Sequence, residues 1–403
     1  MKGAPGIYEE FEEFRGRRFL FAAGHFDYFS GAERQAVYFA EELIKHLQAD
    51  VKFIGWGGNG RLADEVRAIG GTPVVYPFDL GGKGWRRAWN LAALARFVRR
   101  ELKPDYLLPY VWMHCKVLGA IWRFTGAKFC WWNQRDEGRG IHGTRVERYL
   151  LTHLPAIVSN SWEGRDFLVN RFQLPATRVQ VINNGVRLPA ESGESAWRAK
   201  LGVSEDAFVV MMLANLTRFK DHCTLLRAFS HARAAACRKD MHLVLAGAHE
   251  DSTTTIKSLA WDLGLYGYLH LPGSVRDTQS LLRASNLVVH SSKTEGCPNG
   301  ALEAMALGLP VLGTDISGMR QALGDRAAAD CLSPADDWES LGEKILERRE
   351  DSLLCHTEGA RNRERIRQEF SCQQMVARSL AVIAGATIEN SGAIVSTIGA
   401  DRE

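Results

Sequence analysis

Short apolar runs rich in Val, Ile and Leu alternate along this chain with stretches of helical periodicity. Runs of that kind bounded by glycine, proline or polar loops have the length and character of buried parallel strands, which are apolar on both faces. Residues 18–24, 51–56, 73–76 and 129–132 form them in the first half, and residues 209–214, 243–247, 287–290 and 310–313 in the second. Between them, residues 32–47 set Val37, Ala40, Leu43, Ile44 and Leu47 on one helical face. In residues 84–100 a stripe of Leu91, Leu94, Ala95 and Val98 is edged by Trp85, Trp89 and five arginines. That stretch reads as a helix packed on a sheet, with contact to a membrane surface as the second reading. Strands alternating with helices predict α/β sheets.

The densest unit is residues 286–322, NLVVHSSKTEGCPNGALEAMALGLPVLGTDISGMRQA. A buried strand, 287–290, leads into a polar loop, 291–296. Pro298 and Asn299 are residue types that start helices, and strong helix formers follow from Ala301 to Leu307. Gly308 stands where a helix-ending glycine belongs, and Pro310 blocks continuation before the next strand. Ligands of open α/β sheets bind beyond the carboxyl ends of the strands, which is where Glu295 falls. Around the helix start, Gly296, Cys297, Pro298, Asn299 and Gly300 offer unpaired N–H groups and a partial positive charge suited to phosphate. Glu295 and Glu303 flank this start, and carboxylates accept hydrogen bonds from hydroxyls. A nucleotide sugar carries both groups. Alone, two glutamates at this spacing are more often solvated surface charges.

Context changes the weighing. The run from Glu295 to Ala306, then GLPVLGTD and a turn at Gly318, resembles the retaining family-4 glycosyltransferases of GT-B fold. The resemblance implies two Rossmann-like domains facing across a cleft, a nucleotide-sugar donor held mainly by the second, and a last helix crossing back to the first. It implies Glu295 on the donor's sugar hydroxyls and Glu303 on its ribose. SGAERQAVYFAEEL resembles the family's Gly-Gly-Ala-Glu-Arg opening, which makes Gly31 a donor-site candidate; a simple tight turn is the other reading. PDYLLP, residues 104–109, resembles a family strand start, and His114 after it falls near a histidine that contacts the donor sugar in some members. Residues 156–161 and 179–186 resemble a family strand and the Val-Ile-x-Asn-Gly-Val motif before the interdomain linker, with Asn184–Gly185 expected to supply a turn with positive φ.

In the second half, the loop after residues 209–214 carries Arg218 and Lys220, two cations at a strand end able to neutralise a leaving diphosphate. They resemble the family's Arg and Lys pair, although Asn215 occupies the usual arginine position. LHLPGSV, residues 269–275, resembles the loop that holds the nucleotide base near Val275. Arg135 and Asp136, after the aromatic strand, are acceptor-binding candidates, with an internal ion pair as the alternative.

Composition bounds the rest. At 403 residues the chain is comfortable for two cores, and 24% charged residues with a net charge of +3 exclude a dedicated nucleic-acid binder. Charge is uneven: residues 1–190 hold 27 Lys and Arg against 19 Asp and Glu, and the remainder 23 against 28. A basic first half suits an anionic membrane surface or a phosphorylated acceptor. Eight scattered cysteines without a C-x-x-C pair suggest reduced thiols rather than disulfides or zinc. No signal peptide or spanning run is visible, so the expected place is the cytoplasm, at most peripheral on the inner face of the membrane.

The expected domains are residues 1–188 with a helix at about 370–386, and residues 189–369, joined by a small-residue linker at 189–195 and followed by a mobile tail, 387–403. Residues 360–384 read as helix. The expected reaction moves a sugar from a UDP- or GDP-linked donor to a hydroxyl of a glycan or lipid-linked acceptor with retention, in bacterial surface polysaccharide or glycoconjugate synthesis. No further cofactor is called for, and no Asp-x-Asp motif suggests a metal. The alternatives are an epimerase or phosphorylase of the same architecture, or a non-catalytic subunit that binds nucleotide without turnover.

Overall fold

A computed structural model describes residues 7–388, apart from 80, 82–83, 137, 139, 190–194 and 237–239, together with 394–395. Two compact units emerge, residues 1–185 with 372–403 and residues 186–371.

The first is built on a seven-stranded parallel sheet: β1 Arg18–Ala22, β2 Asp50–Gly55, β3 Thr72–Val75, β4 Tyr106–Pro109, β5 Phe129–Gln134, β6 Ala156–Ser159 and β7 Val179–Val181. Its order is β3-β2-β1-β4-β5-β6-β7. Successive strand residues face opposite sides, so Phe19 and Phe21 enter one apolar cluster while Leu20 and Ala22 enter the other. Helices cover both faces. Among them the Cys372–Ile383 helix packs against the Gly31–Leu47 helix, so the late helix returns to the amino-terminal unit, as the resemblance implied.

The second unit holds β8 Phe208–Leu213, β9 Met241–Ala246, β10 Leu269–Gly273, β11 Leu287–His290, β12 Val311–Thr314 and β13 Leu332–Ser333, parallel in the order β10-β9-β8-β11-β12-β13. The helix Asn299–Ala306 ends as its sequence predicts. Gly308 has φ +76°, its N–H bonds to the Met305 carbonyl at 3.0 Å, and Leu309 N–H bonds to the Ala304 carbonyl at 3.1 Å.

Three expectations need correction. Neither Asn184 nor Gly185 has positive φ. Gly185 is small because a Cβ there would lie 2.9 Å from Cys372 Cα, and Gln35 clamps its backbone through both amide atoms, at 2.8 and 3.0 Å. Residues 360–384 are not one helix: Ser352–Arg365 runs into a wider turn, Ile366–Phe370, and Ser371 is extended and bridges to Val186 before Cys372–Ile383 begins. In the stretch read as a tail, Thr387–Ile388 pairs antiparallel with Ile394–Val395; residues 389–393 and 396–403 lie outside the described residues, as do 190–194 of the expected linker.

Candidate functional site

In a parallel sheet wound both ways, the chain leaves from two neighbouring strands in opposite directions, and the loops at their carboxyl ends part to leave a crevice. For the second unit that switch point lies between β8 and β11, since β9 flanks β8 on one side and β12 flanks β11 on the other. The loop after β8 carries Arg218 and Lys220; the loop after β11 carries Glu295.

Backbone contacts fix the two loops together. Asp221 N–H donates to the Ser291 carbonyl at 3.2 Å, Ser291 Oγ returns a bond to the Asp221 carbonyl at 2.7 Å, and Ser292 Oγ donates to the Phe219 carbonyl at 3.1 Å. Lys220 itself bridges to Ser292. Asp221 then caps the helix His222–Ala235 through Thr224. Held this way, the Lys220 ammonium pairs with Glu295 Oε2, both side chains about four-fifths buried. His290, the last residue of β11, faces the same oxygen with Nε2 at 3.4 Å. Burial, then the charges of Lys220 and nearby His222, hold the His290 pKa well below the usual imidazole value. A neutral ring facing a carboxylate presents Nε2–H as donor. His222, also buried, is pushed down to about 4, chiefly by desolvation.

Arg218 goes elsewhere. Its side chain is 77% exposed, its N–H donates to Asp251 Oδ1 at 2.9 Å, and its guanidinium lies 3.9 Å from the same carboxylate. Asn215, in the position the family gives to arginine, ties the loop to Ala248 and Glu250 at 3.1 and 2.9 Å.

The Asn299–Ala306 helix starts hard against the end of β8: a Cβ on Gly300 would sit 2.2 Å from the Leu213 carbonyl oxygen. Pro298 occupies the N-cap and its side chain makes no capping bond to the helix. Gly296 and Cys297 are buried in the approach, where the Glu295 carbonyl packs 2.2 Å from the place a Gly318 Cβ would take. Glu303, one turn into the helix, accepts from Thr278 Oγ1 at 2.7 Å. That bond holds it beside the loop after β10, which carries half-buried Val275. Thus Glu295 belongs with Lys220 and His290, and Glu303 with the base-side loop.

In the first unit the switch point lies between β1 and β4. Gly31 opens the helix after β1, behind a capping box in which Ser30 and Glu33 satisfy each other. His114 lies in the first turn of the helix after β4, 2% exposed and stacked on Trp56 with ring centroids 4.5 Å apart. Neither ring nitrogen has a hydrogen-bond partner among the described residues, and burial pushes its pKa down to about 3. After β5, Arg135 donates to Asn184 Oδ1 at 2.7 Å and lies 4.5 Å over the Tyr110 ring, while Asp136 accepts from Gln134 and from Gly138 N–H, both at 2.8 Å. Buried Asn133, on the same strand end, has no partner for either side-chain polar atom among the described residues.

Sequence reading missed His290, Thr278 and Trp56. A histidine closing an otherwise apolar strand at the switch point was the available signal for the first; the other two carry none. Among the described residues no group of three or more His, Cys, Asp or Glu is placed to hold a metal ion, and no helix is long and apolar enough to cross a membrane.

Comparison with known proteins bears on what this arrangement is. A family model described as Glycosyl transferases group 1 matches residues 193–365, and one for Glycosyltransferase Family 4 matches residues 29–188. An uncharacterized glycosyltransferase of Methanocaldococcus jannaschii is 26% identical over 270 residues, which is 62% of this chain and 64% of that protein. The D-inositol 3-phosphate glycosyltransferase of Salinispora tropica is 28% identical over 264 residues, 60% of this chain and 54% of that protein. The matched region thus spans 54% to 64% of the length of these relatives. Among solved structures, Anabaena Alr3699/HepE in complex with UDP and glucose superposes with a TM-score of 0.77 at 18% identity over 92% of this chain and 100% of that one. A glycosyltransferase from Rickettsia africae gives 0.77 at 19% identity, over 92% and 98%. Each half of this chain thus matches a glycosyltransferase family model, and its fold is that of the GT-B glycosyltransferases among the solved structures.

Proposed function

We propose that this protein transfers a hexosyl group from a nucleotide-sugar donor to an acceptor hydroxyl with retention of configuration at the anomeric carbon. The observation that carries the reading is the Lys220–Glu295 pair at the β8/β11 switch point, beside the start of the Asn299–Ala306 helix. In the reaction the bond from the anomeric carbon to the diphosphate oxygen breaks and one to the acceptor oxygen forms. The acceptor proton leaves, with the departing diphosphate as its acceptor. Negative charge grows on that diphosphate, and Lys220 with the start of the Asn299–Ala306 helix would stabilise it. Binding of the donor exchanges the Lys220–Glu295 pair for two ligand contacts, ammonium to phosphate and carboxylate to sugar hydroxyls. Glu303 and the Val275 loop would take the ribose and base.

No metal ion is needed for this charge balance, so transfer should survive chelation by EDTA. UDP is the favoured nucleotide because the Anabaena relative in fold is described with UDP and with UDP-glucose. The acceptor is a glycan or lipid-linked glycoconjugate of the cell surface, made on the cytoplasmic side. A phosphorylated polyol is the second reading, supported by the basic first half and by the name of the Salinispora relative. Thermal-shift screening against UDP-, GDP- and ADP-sugars tests the donor, since a ligand at 100 times its Kd stabilises by about 2.7 kcal/mol. Proton NMR of the product then reads the anomeric configuration. Stabilisation by nucleotide without transfer or hydrolysis would leave only a binding subunit.

A further inference from the structure

One face of the helix Trp85–Phe97 has no counterpart in the reaction just described. The helix docks on its unit through Leu94 and Ala95, continued by Val98, all buried, and Asn90 Nδ2 tethers it to the Asp79 carbonyl at 3.0 Å. The apolar stripe visible in the sequence is therefore consumed inside the fold. Opposite it, Trp85 is 75% exposed and Trp89 71% exposed, one turn apart. At helical spacing the same outward line continues through Ala92 and Arg96 to Arg99 and Arg100 in the wider turn Val98–Leu102, every one exposed. Arg86 lies over the Trp85 ring at 5.6 Å. Residues 84–103 contain six basic side chains and a single acid, Glu101.

Leaving two indoles in water is costly unless something takes them up. Indole rings settle at the headgroup level of a bilayer, where the ring is apolar and the N–H stays hydrated, and arginines add attraction to anionic headgroups. From Trp85 to Arg96 the line runs about 16 Å along one side of the helix at 1.5 Å per residue. We propose that this face of the Trp85–Phe97 helix is the protein's docking surface for an anionic lipid bilayer. It stands independently of the donor site. The charge asymmetry of the chain pointed to its first half; the structure narrows that to one helix, and to the side away from its apolar stripe.

The test is co-sedimentation of the full chain with phosphatidylcholine vesicles, with and without a third of phosphatidylglycerol, at low and physiological salt. Binding is expected only to the anionic vesicles, weaker in salt. R96Q/R99Q/R100Q should weaken it on the order of a hundredfold, and W85A/W89A about tenfold with loss of the blue shift in tryptophan emission. W261A, removing an exposed indole of the other unit, should bind as the parent does. These side chains are exposed, so the variants keep the parent's melting curve. Equal binding by all variants, no binding to anionic vesicles, or retention on immobilised polyglutamate without vesicle binding would each overturn the proposal; the last would make the partner an acidic protein.

Discussion

The two switch points of this molecule solve the same problem in opposite ways. In the carboxyl-terminal unit the loops after β8 and β11 are tied by backbone bonds, and the charges they bring are neutralised inside the protein, Lys220 by Glu295 with His290 beneath. In the amino-terminal unit the strand ends bury His114 and Asn133 with polar atoms that no described residue satisfies. The first arrangement stores opposite charges that a charged, hydroxylated ligand can separate and use. The second leaves neutral hydrogen-bonding capacity, costly in a folded core. On the proposed reading, the charged arrangement is the one that meets the donor's diphosphate.

Breaking the charged side should have the largest effect. K220A and E295A are each expected to lower transfer by about a hundredfold to a thousandfold with the fold retained, the scale seen when one preorganised charge-stabilising group is removed. Initial rates at saturating donor check this, and near-normal turnover in both variants sinks the site. G300A comes next. A methyl group 2.2 Å from the Leu213 carbonyl forces the helix start off β8, so a loss of about 2–3 kcal/mol in urea unfolding is expected, with loss of nucleotide-induced stabilisation.

The neutral side should respond to acid. His114 binds a proton less readily folded, at about 3, than unfolded, near 6.5. The unfolded state therefore takes up more protons between those values, and stability falls as pH drops through that window. His222 adds to the fall, down to about 4. In H114F the acid-induced drop in melting temperature should be shallower, while stability at pH 7 changes by no more than about 1 kcal/mol, because an unpaired buried ring is replaced by an apolar one. An unchanged pH profile would show that the ring is already charged or solvated. The smallest effect is expected for R218A: an exposed pair with Asp251 contributes at most about 1 kcal/mol, so melting should barely move and transfer should fall only several-fold.

How far the sequence reached differs by element. The strand–loop–helix–strand unit around Glu295 was legible because each signal is local: an apolar run, helix formers, a glycine with positive φ at position 308. Lys220 was legible as a charge at a strand end, with Arg218 beside it in the same loop although displaced from the usual arginine position. The split between them comes from Asp251, 33 residues away in the chain, which the sequence does not connect to either. Asn184–Gly185 was read as a turn for the same reason: local grammar favours that explanation, whereas Cys372 presses on Gly185 only once the late helix has returned.

By itself the sequence determined the α/β alternation, the family likeness, and the acids and cations gathered at strand ends, since strand and helix periods and caps are properties of neighbours along the chain. Tertiary structure alone decided which cation meets Glu295, that neutral His290 lies beneath it, that Glu303 turns to Thr278, and that two tryptophans face outward. Those outcomes depend on the order of strands in each sheet, which brings residues distant in sequence within hydrogen-bonding reach and which no local pattern encodes.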